Sequence, residues 1–149
     1  MIRFQETAAT SLSVAEAFAQ LGEFANVQDW DPGVTSSMKT SDQPTGVGTV
    51  YALDLLYRGR KMEMEYRVTE FDVDRRLVVE GSGGMVEAVD TIEFEPTPDG
   101  TKVTYIAELS LTGIARLVEP LMKSRFAEVV RSGGDGLRGW LKELESELA

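Results

Sequence analysis

Hydrophobic and polar residues alternate with a period of two through most of the chain. In residues 61–68, methionine, tyrosine and valine occupy the even positions and charged residues the odd ones, and similar alternation recurs in 86–95 and 102–109. Successive side chains of a strand point to opposite faces, so each segment predicts a strand with one covered and one wet face. Glycine, aspartate and proline separate the segments, which is typical of an antiparallel meander. The predicted strands are 2–8, 34–40, 47–57, 61–71, 75–81, 86–96 and 101–112, with hairpin turns near 58–59, 72–74, 82–84 and 96–100.

Two short helical segments are predicted between the first two strands. Ser13 and Glu16 match a capping box ahead of apolar Phe18, so a helix is expected to begin at Ser13. Gly22 interrupts this helix, and a second short turn is expected over residues 23–27. Trp-Asp-Pro-Gly at 30–33 is turn chemistry that ends the helical region.

The C-terminal third changes to helical spacing and predicts one long amphipathic helix. About thirty residues from Pro120 onwards would span roughly 43 Å, which is longer than one strand of the sheet. We therefore expect an α+β fold in which a curved antiparallel sheet of about seven strands wraps around this helix, in a single domain over residues 1–149. The apolar positions expected to cover the sheet are Leu117, Val118, Leu121, Met122, Phe126, Val129, Val130, Leu137, Trp140, Leu141, Leu144 and Leu148.

Composition excludes several classes of function. The formal net charge is -10, which disfavours nucleic acid because phosphate binding depends on clustered lysine and arginine. The chain contains no cysteine and no histidine, so thiolate chemistry, cysteine or histidine zinc sites and imidazole-based triads are excluded. No signal peptide and no membrane-spanning run is apparent. We expect a cytoplasmic protein without stable membrane insertion, without a metal or cofactor, and present as a monomer or homodimer.

The order of strand, two short helices, meander and long terminal helix resembles the START and polyketide cyclase (SRPBCC) superfamily, whose architecture is the helix-grip fold. Five segments carry the resemblance: Trp30–Val34, Gly46–Thr49, Arg67–Asp72, Gly100–Tyr105 and Leu141–Glu145. The resemblance implies a hydrophobic pocket between sheet and helix that accepts lipids, polyketides or other largely apolar molecules. Members range from cyclases to carriers, so the resemblance does not specify an activity.

A pocket of this kind needs apolar walls and a few polar groups. Asp90 shares a strand face with Ala88, Ile92 and Phe94, so its carboxyl group is expected to be desolvated and its pKa raised. Tyrosine hydroxyls are candidates to bind a ligand's oxygen atoms, although alternation does not determine the face on which Tyr51 lies. The candidate ligand-binding residues are Trp30, Tyr51, Met64, Tyr66, Asp90, Tyr105, Phe126 and Val130, and no catalytic residue is assigned.

Two other patterns in the sequence resemble functional motifs. The Gly-x-Gly-x-x-Gly run at 134–139 lies inside a helical pattern close to the chain's end, which argues against a dinucleotide site. Residues 132–134 are instead a candidate hinge in the terminal helix. The glutamates at 63 and 65, and at 93 and 95, fall on the wet face and predict solvated charge rather than a glycosidase pair.

Three functions stay open at this point. The first is a protein that binds an apolar or aromatic small molecule. The second is an enzyme of the polyketide cyclase or dehydratase type, in which Asp90 and a tyrosine would move protons. The third is a non-enzymatic protein-interaction module.

Overall fold

A computed structural model describes residues 1–148. These residues contain three α-helices: α1 (Val14–Leu21), α2 (Val27–Trp30) and α3 (Glu119–Leu148). Single segments of 3-10 helix precede α2 (Phe24–Asn26) and α3 (Gly113–Val118). The strands are β1 (Ile2–Thr10), β2 (Val34–Lys39), β3 (Val50–Tyr57), β4 (Arg60–Asp72), β5 (Arg76–Gly83), β6 (Val86–Thr97) and β7 (Gly100–Leu111).

The seven strands form one antiparallel sheet in the order β1-β7-β6-β5-β4-β3-β2. Neighbours from β2 to β7 follow one another in sequence, whereas β1 crosses to pair with β7 along its whole length. Register shifts between Val34 and Ser36 and between Val68 and Glu70 interrupt two ladders, and irregularities of this kind bend a strand. The predicted fold class, the helix-grip fold, is confirmed.

Two predicted strand boundaries were wrong for local reasons. β3 begins at Val50 rather than at residue 47, because Gly48 adopts a φ of 93° and the Thr49 amide donates to the Gly46 carbonyl at 3.1 Å. This tight turn precedes the ladder. β5 continues to Gly83, so the turn that follows lies at 84–85 rather than at 82–84, with Gly84 at a φ of 58°.

α1 closes one end of the sheet and begins as predicted. The Ser13 hydroxyl accepts from the Glu16 amide at 3.1 Å, and the Ser13 amide donates to the Glu16 carboxylate at 3.0 Å. Both bonds satisfy donors that a helix start otherwise leaves open. The Phe18 ring packs edge-on against Phe71 and Phe94 at centroid distances of 5.1 and 5.2 Å. This end of the molecule is therefore filled with side chains.

α3 packs against the sheet along only part of its length. Its buried residues are Val130, Gly133, Gly134, Leu137, Leu141 and Leu144. The expectation that Leu117, Val118, Leu121 and Leu148 cover the sheet was wrong, because these side chains are exposed. Residues 119–129 stand over a space rather than over packed side chains. Among the described residues, no helix is both long and apolar enough to cross a membrane.

Candidate functional site

The space beneath the first half of α3 is a cavity of about 770 Å³. Its floor is the inner face of the sheet, its roof is α3, and the turn between α2 and β2 closes one side. The volume is in the range of small-molecule sites. The largely apolar wall includes Phe24, Val34, Leu53, Leu55, Met62, Met64, Ala107, Leu109, Leu111, Met122, Phe126 and Val130.

Asp90 is the acidic group on the floor of this cavity. It lies on β6 between the buried residues Ala88 and Ile92, and only 9% of its surface is exposed. Burial in these apolar surroundings, together with the like charge of Asp31, raises the pKa of the Asp90 carboxyl from 3.8 to about 7. Asp90 is therefore divided between its protonated and charged forms near neutral pH.

Asp31 is a second carboxyl group on the same wall and was not among the predicted site residues. One of its oxygens accepts from the Gly33 amide at 2.9 Å, which is the side-chain turn that aspartate commonly forms before proline and glycine. Burial raises the pKa of Asp31, and the bond to Gly33 partly offsets this effect. The turn chemistry was readable from the sequence. The direction of the side chain was not, because a turn has no periodicity.

Tyr66 on β4 and Tyr105 on β7 bring two phenol groups to the same wall. Burial raises the pKa of both hydroxyls well above 10, and the charges of Asp90 and Asp31 add to the effect. Both phenols therefore stay protonated and able to donate hydrogen bonds. The Trp30 ring packs edge-on against Tyr105 with centroids 5.5 Å apart.

A third tyrosine, Tyr57, lies where β3 reaches the cavity. Its hydroxyl is buried and has no hydrogen-bond partner among the described residues, and a buried unpaired hydroxyl costs roughly 1–3 kcal/mol. Beside it, Arg58 and Gly59 form the β3–β4 turn with φ angles of 50° and 80°. Arg58, Arg125 and Glu128 are exposed at the rim of the cavity, whereas Asp31 and Asp90 lie inside.

The structure places six of the eight predicted site residues on the cavity wall, namely Met64, Tyr66, Asp90, Tyr105, Phe126 and Val130. Trp30 and Tyr51 lie outside it. Trp30 is buried behind Tyr105, which it supports. Alternation correctly brings Met64 and Tyr66 to one face, because they stand two positions apart on β4.

Tyr51 also points inward, but its hydroxyl belongs to a separate network. It donates a short hydrogen bond to the Glu23 carboxylate. Glu23 also accepts from the Thr45 hydroxyl at 2.6 Å and lies 3.4 Å from the Lys39 ammonium. This network fastens the segment before α2 to the loop between β2 and β3, and burial together with Glu23 raises the pKa of Tyr51.

The cavity thus combines an apolar wall with proton donors and acceptors concentrated at its inner end. Asp90 can accept or donate a proton near neutral pH, whereas the phenols of Tyr66 and Tyr105 stay protonated and can each donate a hydrogen bond. Within residues 1–148, no group of three or more acidic side chains is arranged to hold a metal ion. The arrangement can bind a ligand with polar atoms at one end and can exchange one proton with it.

Comparison with solved structures finds the same fold throughout the chain. The Zhui aromatase/cyclase from a Streptomyces species superposes with a TM-score of 0.80 at 11% identity, covering 99% of this chain and 95% of that one. A START superfamily protein from Mycobacterium smegmatis gives 0.78 at 14% identity, with coverage of 95% and 98%. The Thermus thermophilus protein TTHA0849 gives 0.76 at 18% identity, with coverage of 96% and 97%. At these identities the similarity establishes the fold alone.

Sequence comparison gives the family. No curated protein matches the chain in sequence. A family model described as "Polyketide cyclase / dehydrase and lipid transport" matches residues 1–140, which include every strand and the part of α3 that roofs the cavity. The chain belongs to the polyketide cyclase/dehydrase and lipid transport family.

Proposed function

We propose that this protein binds a largely apolar small molecule in the cavity between the sheet and α3. The observation that carries the proposal is a cavity of about 770 Å³ in which a few polar groups interrupt a largely apolar wall, while Arg58, Arg125 and Glu128 lie exposed at the rim. Ligand sites commonly have this composition, in which apolar contact supplies affinity and a few polar groups set orientation. The family assignment supports the same function.

The first experiment is native mass spectrometry of the purified protein, followed by denaturation and identification of any released molecule. We expect a reproducible co-purifying lipid, quinone or polyketide-like compound. Uptake of the neutral, polarity-sensitive dye Nile red then tests the location of binding. Ala107 lies on the cavity wall, so Ala107→Phe is expected to fill part of the cavity and to abolish the blue-shifted fluorescence of the bound dye.

Ala52→Phe is the matched control, because Ala52 lies exposed on the outer face of β3. This variant adds the same ring without entering the cavity, and dye uptake should be unchanged. Equal dye fluorescence from the wild-type protein and both variants would show that the dye adheres to the surface and would contradict the proposal.

A cyclase or dehydratase activity is the second candidate, and the raised pKa of Asp90 favours it. A carboxyl group that titrates near pH 7 is suited to general acid and base catalysis. The phenol groups of Tyr66 and Tyr105 are suited to donate hydrogen bonds to carbonyl oxygens of a bound chain. Incubating the released molecule with fresh protein discriminates the two functions, since a carrier returns it at unchanged mass and an enzyme converts it.

The protein's surroundings are part of the same proposal. We propose a single domain that acts in the cytoplasm as a monomer or homodimer and does not bind nucleic acid. The net charge of -10 supports the last point, because it opposes contact with phosphate backbones.

A further inference from the structure

The charged side chains inside the cavity are both carboxylates, whereas the cations of its wall lie at the rim. Asp31 and Asp90 lie inside, and the arginines of the wall, Arg58 and Arg125, are exposed at the rim together with Glu128. Among the described residues, the charge that acts on Asp90 is the like charge of Asp31. The inner end of the cavity therefore holds two carboxyl groups that repel each other when both are charged.

The neighbouring polar groups do not relieve this repulsion. Asp31 accepts a single amide hydrogen bond, from Gly33. The nearby hydroxyls belong to Tyr66 and Tyr105, and these are neutral donors. A buried carboxylate that lacks a cation is costly, so the empty cavity retains a proton near neutral pH instead.

We propose that the cavity selects ligands that carry a protonated amine on an apolar or aromatic body, with the ammonium group held between Asp31 and Asp90. This inference rests on the proposed binding function and specifies its ligand class. An ammonium group would supply the missing cation, and the faces of Tyr66 and Tyr105 would add cation-π attraction. A ligand carboxylate at the same place would meet two like charges.

Amine binding then displaces the proton that Asp90 holds. The ammonium group favours the charged carboxylate, so the proton leaves to solvent and the ligand's charge replaces it. Affinity for an amine should therefore rise with pH until Asp90 is charged in the empty protein as well, at about pH 7. Affinity for a neutral analogue should not follow this curve, and affinity for an acidic analogue should follow the reverse curve.

Three naphthalene probes of similar shape test the proposal by isothermal titration calorimetry: 2-naphthylmethylamine, 2-naphthylmethanol and 2-naphthoate. At about pH 8 we expect the amine to bind roughly tenfold or more tightly than the alcohol, as for a hydrogen bond between charged groups. At about pH 5.5 that preference should shrink towards unity. Titrations at pH 7 in two buffers of different ionisation enthalpy should show proton release with the amine and none with the alcohol.

Asp90→Asn should remove the amine preference, measured as the ratio of amine to alcohol affinity within the variant. Asp99→Asn is the matched control, because Asp99 is exposed in the β6–β7 turn and its loss changes the net charge equally. This control should retain the wild-type ratio. A reduced ratio in Asp99→Asn would attribute the preference to overall charge and overturn the proposal.

The three probes distinguish failure of the proposed binding function from failure of the amine preference alone. If none of the three binds, the proposed binding of apolar molecules fails. If the alcohol or the naphthoate binds as tightly as the amine at about pH 8, binding stands and the amine preference is wrong.

Discussion

The first half of α3 (residues 119–129) contains five apolar side chains and the second half (residues 130–148) contains six, but the two halves have different surroundings. Residues 130–148 contribute six buried positions and contact β1 and α2. Residues 119–129 contribute none, and Leu121 in this half is 76% exposed. One half completes the core, and the other roofs a cavity.

Side-chain size explains much of the difference. In the second half, Gly134 lies so close to β1 that a Cβ atom there would come within 2.5 Å of the Glu6 carboxylate. A Cβ at Gly136 would overlap the carbonyl oxygen of Trp30. These glycines therefore let the helix approach the sheet and α2 closely, and this packing is the role that the structure gives to the glycine-rich segment. The first half contains no glycine, and its larger side chains stand off from the sheet.

The largest expected effect concerns the titration of Asp90 beneath the open half. The folded-state pKa rises from 3.8 to about 7, so the folded state binds more protons than the unfolded chain over this interval. The stability associated with protonated Asp90 is present below about pH 4 and is lost as pH rises to about 7. At about 1.4 kcal/mol per unit, wild type should lose about 4 kcal/mol relative to Asp90→Asn across the interval. Urea denaturation of both proteins at several pH values measures this difference.

Glu145 in the packed half supplies the opposite case. Hydrogen bonds from the Thr10 hydroxyl at 2.7 Å and the Ser11 amide at 2.9 Å lower the pKa of Glu145. The charged Glu145 carboxylate therefore stabilises the folded state at neutral pH, and this stabilisation is lost on acidification. If Asp90→Asn and Glu145→Gln changed the pH profile in the same direction, the assigned environments would be incorrect.

The next effect compares one substitution at two sites of the helix. Leu141 is 1% exposed in the packed half, so Leu141→Ala should leave a cavity and lower the free energy of unfolding by about 3 kcal/mol. Leu121→Ala should change it by less than about 0.5 kcal/mol, because the side chain is already in solvent. Urea denaturation gives both free-energy changes from the shift of the midpoint, provided that the dependence of the free energy of unfolding on urea concentration (the m value) stays the same. A similar loss at both sites would mean that the first half also packs.

The smallest expected change in stability tests the close contact between α3 and the main chain of α2. Gly136→Ala forces a methyl group against the main chain of Trp30, so a net loss of about 2 kcal/mol is expected. A Cβ atom at Gly139 would meet no atom of the described residues within 4 Å beyond its own turn of helix. Gly139→Ala should therefore gain about 1 kcal/mol from helix propensity. Thermal unfolding of the two variants should move in opposite directions, and stabilisation by both would exclude a packing role for Gly136.

Periodicity predicted the fold and much of the cavity wall. Alternation brought Met64, Tyr66, Asp90 and Tyr105 to the inner face, because a strand assigns faces by parity alone. Helical spacing predicted α3 but not which part of it packs against the sheet. That depends on the elements that its glycines contact in the folded structure. Asp31 was missed because its direction is set by a turn. Alternation left the face of Tyr51 open; the structure turns this side chain inward, but Glu23, a partner from a distant segment, engages its hydroxyl.

The position of β1 has a consequence for the speed of folding. Its ladder with β7 joins Ile2 to Leu109, and Arg138 on α3 donates to the Thr7 carbonyl of the same strand at 2.9 Å. The meander from β2 to β7 can form through local hairpins, whereas this edge requires segments about a hundred residues apart to meet. Distant pairings slow folding because the entropy of closing the loop is lost before the contacts form. We expect the meander to form first and the docking of β1 with α3 to complete folding.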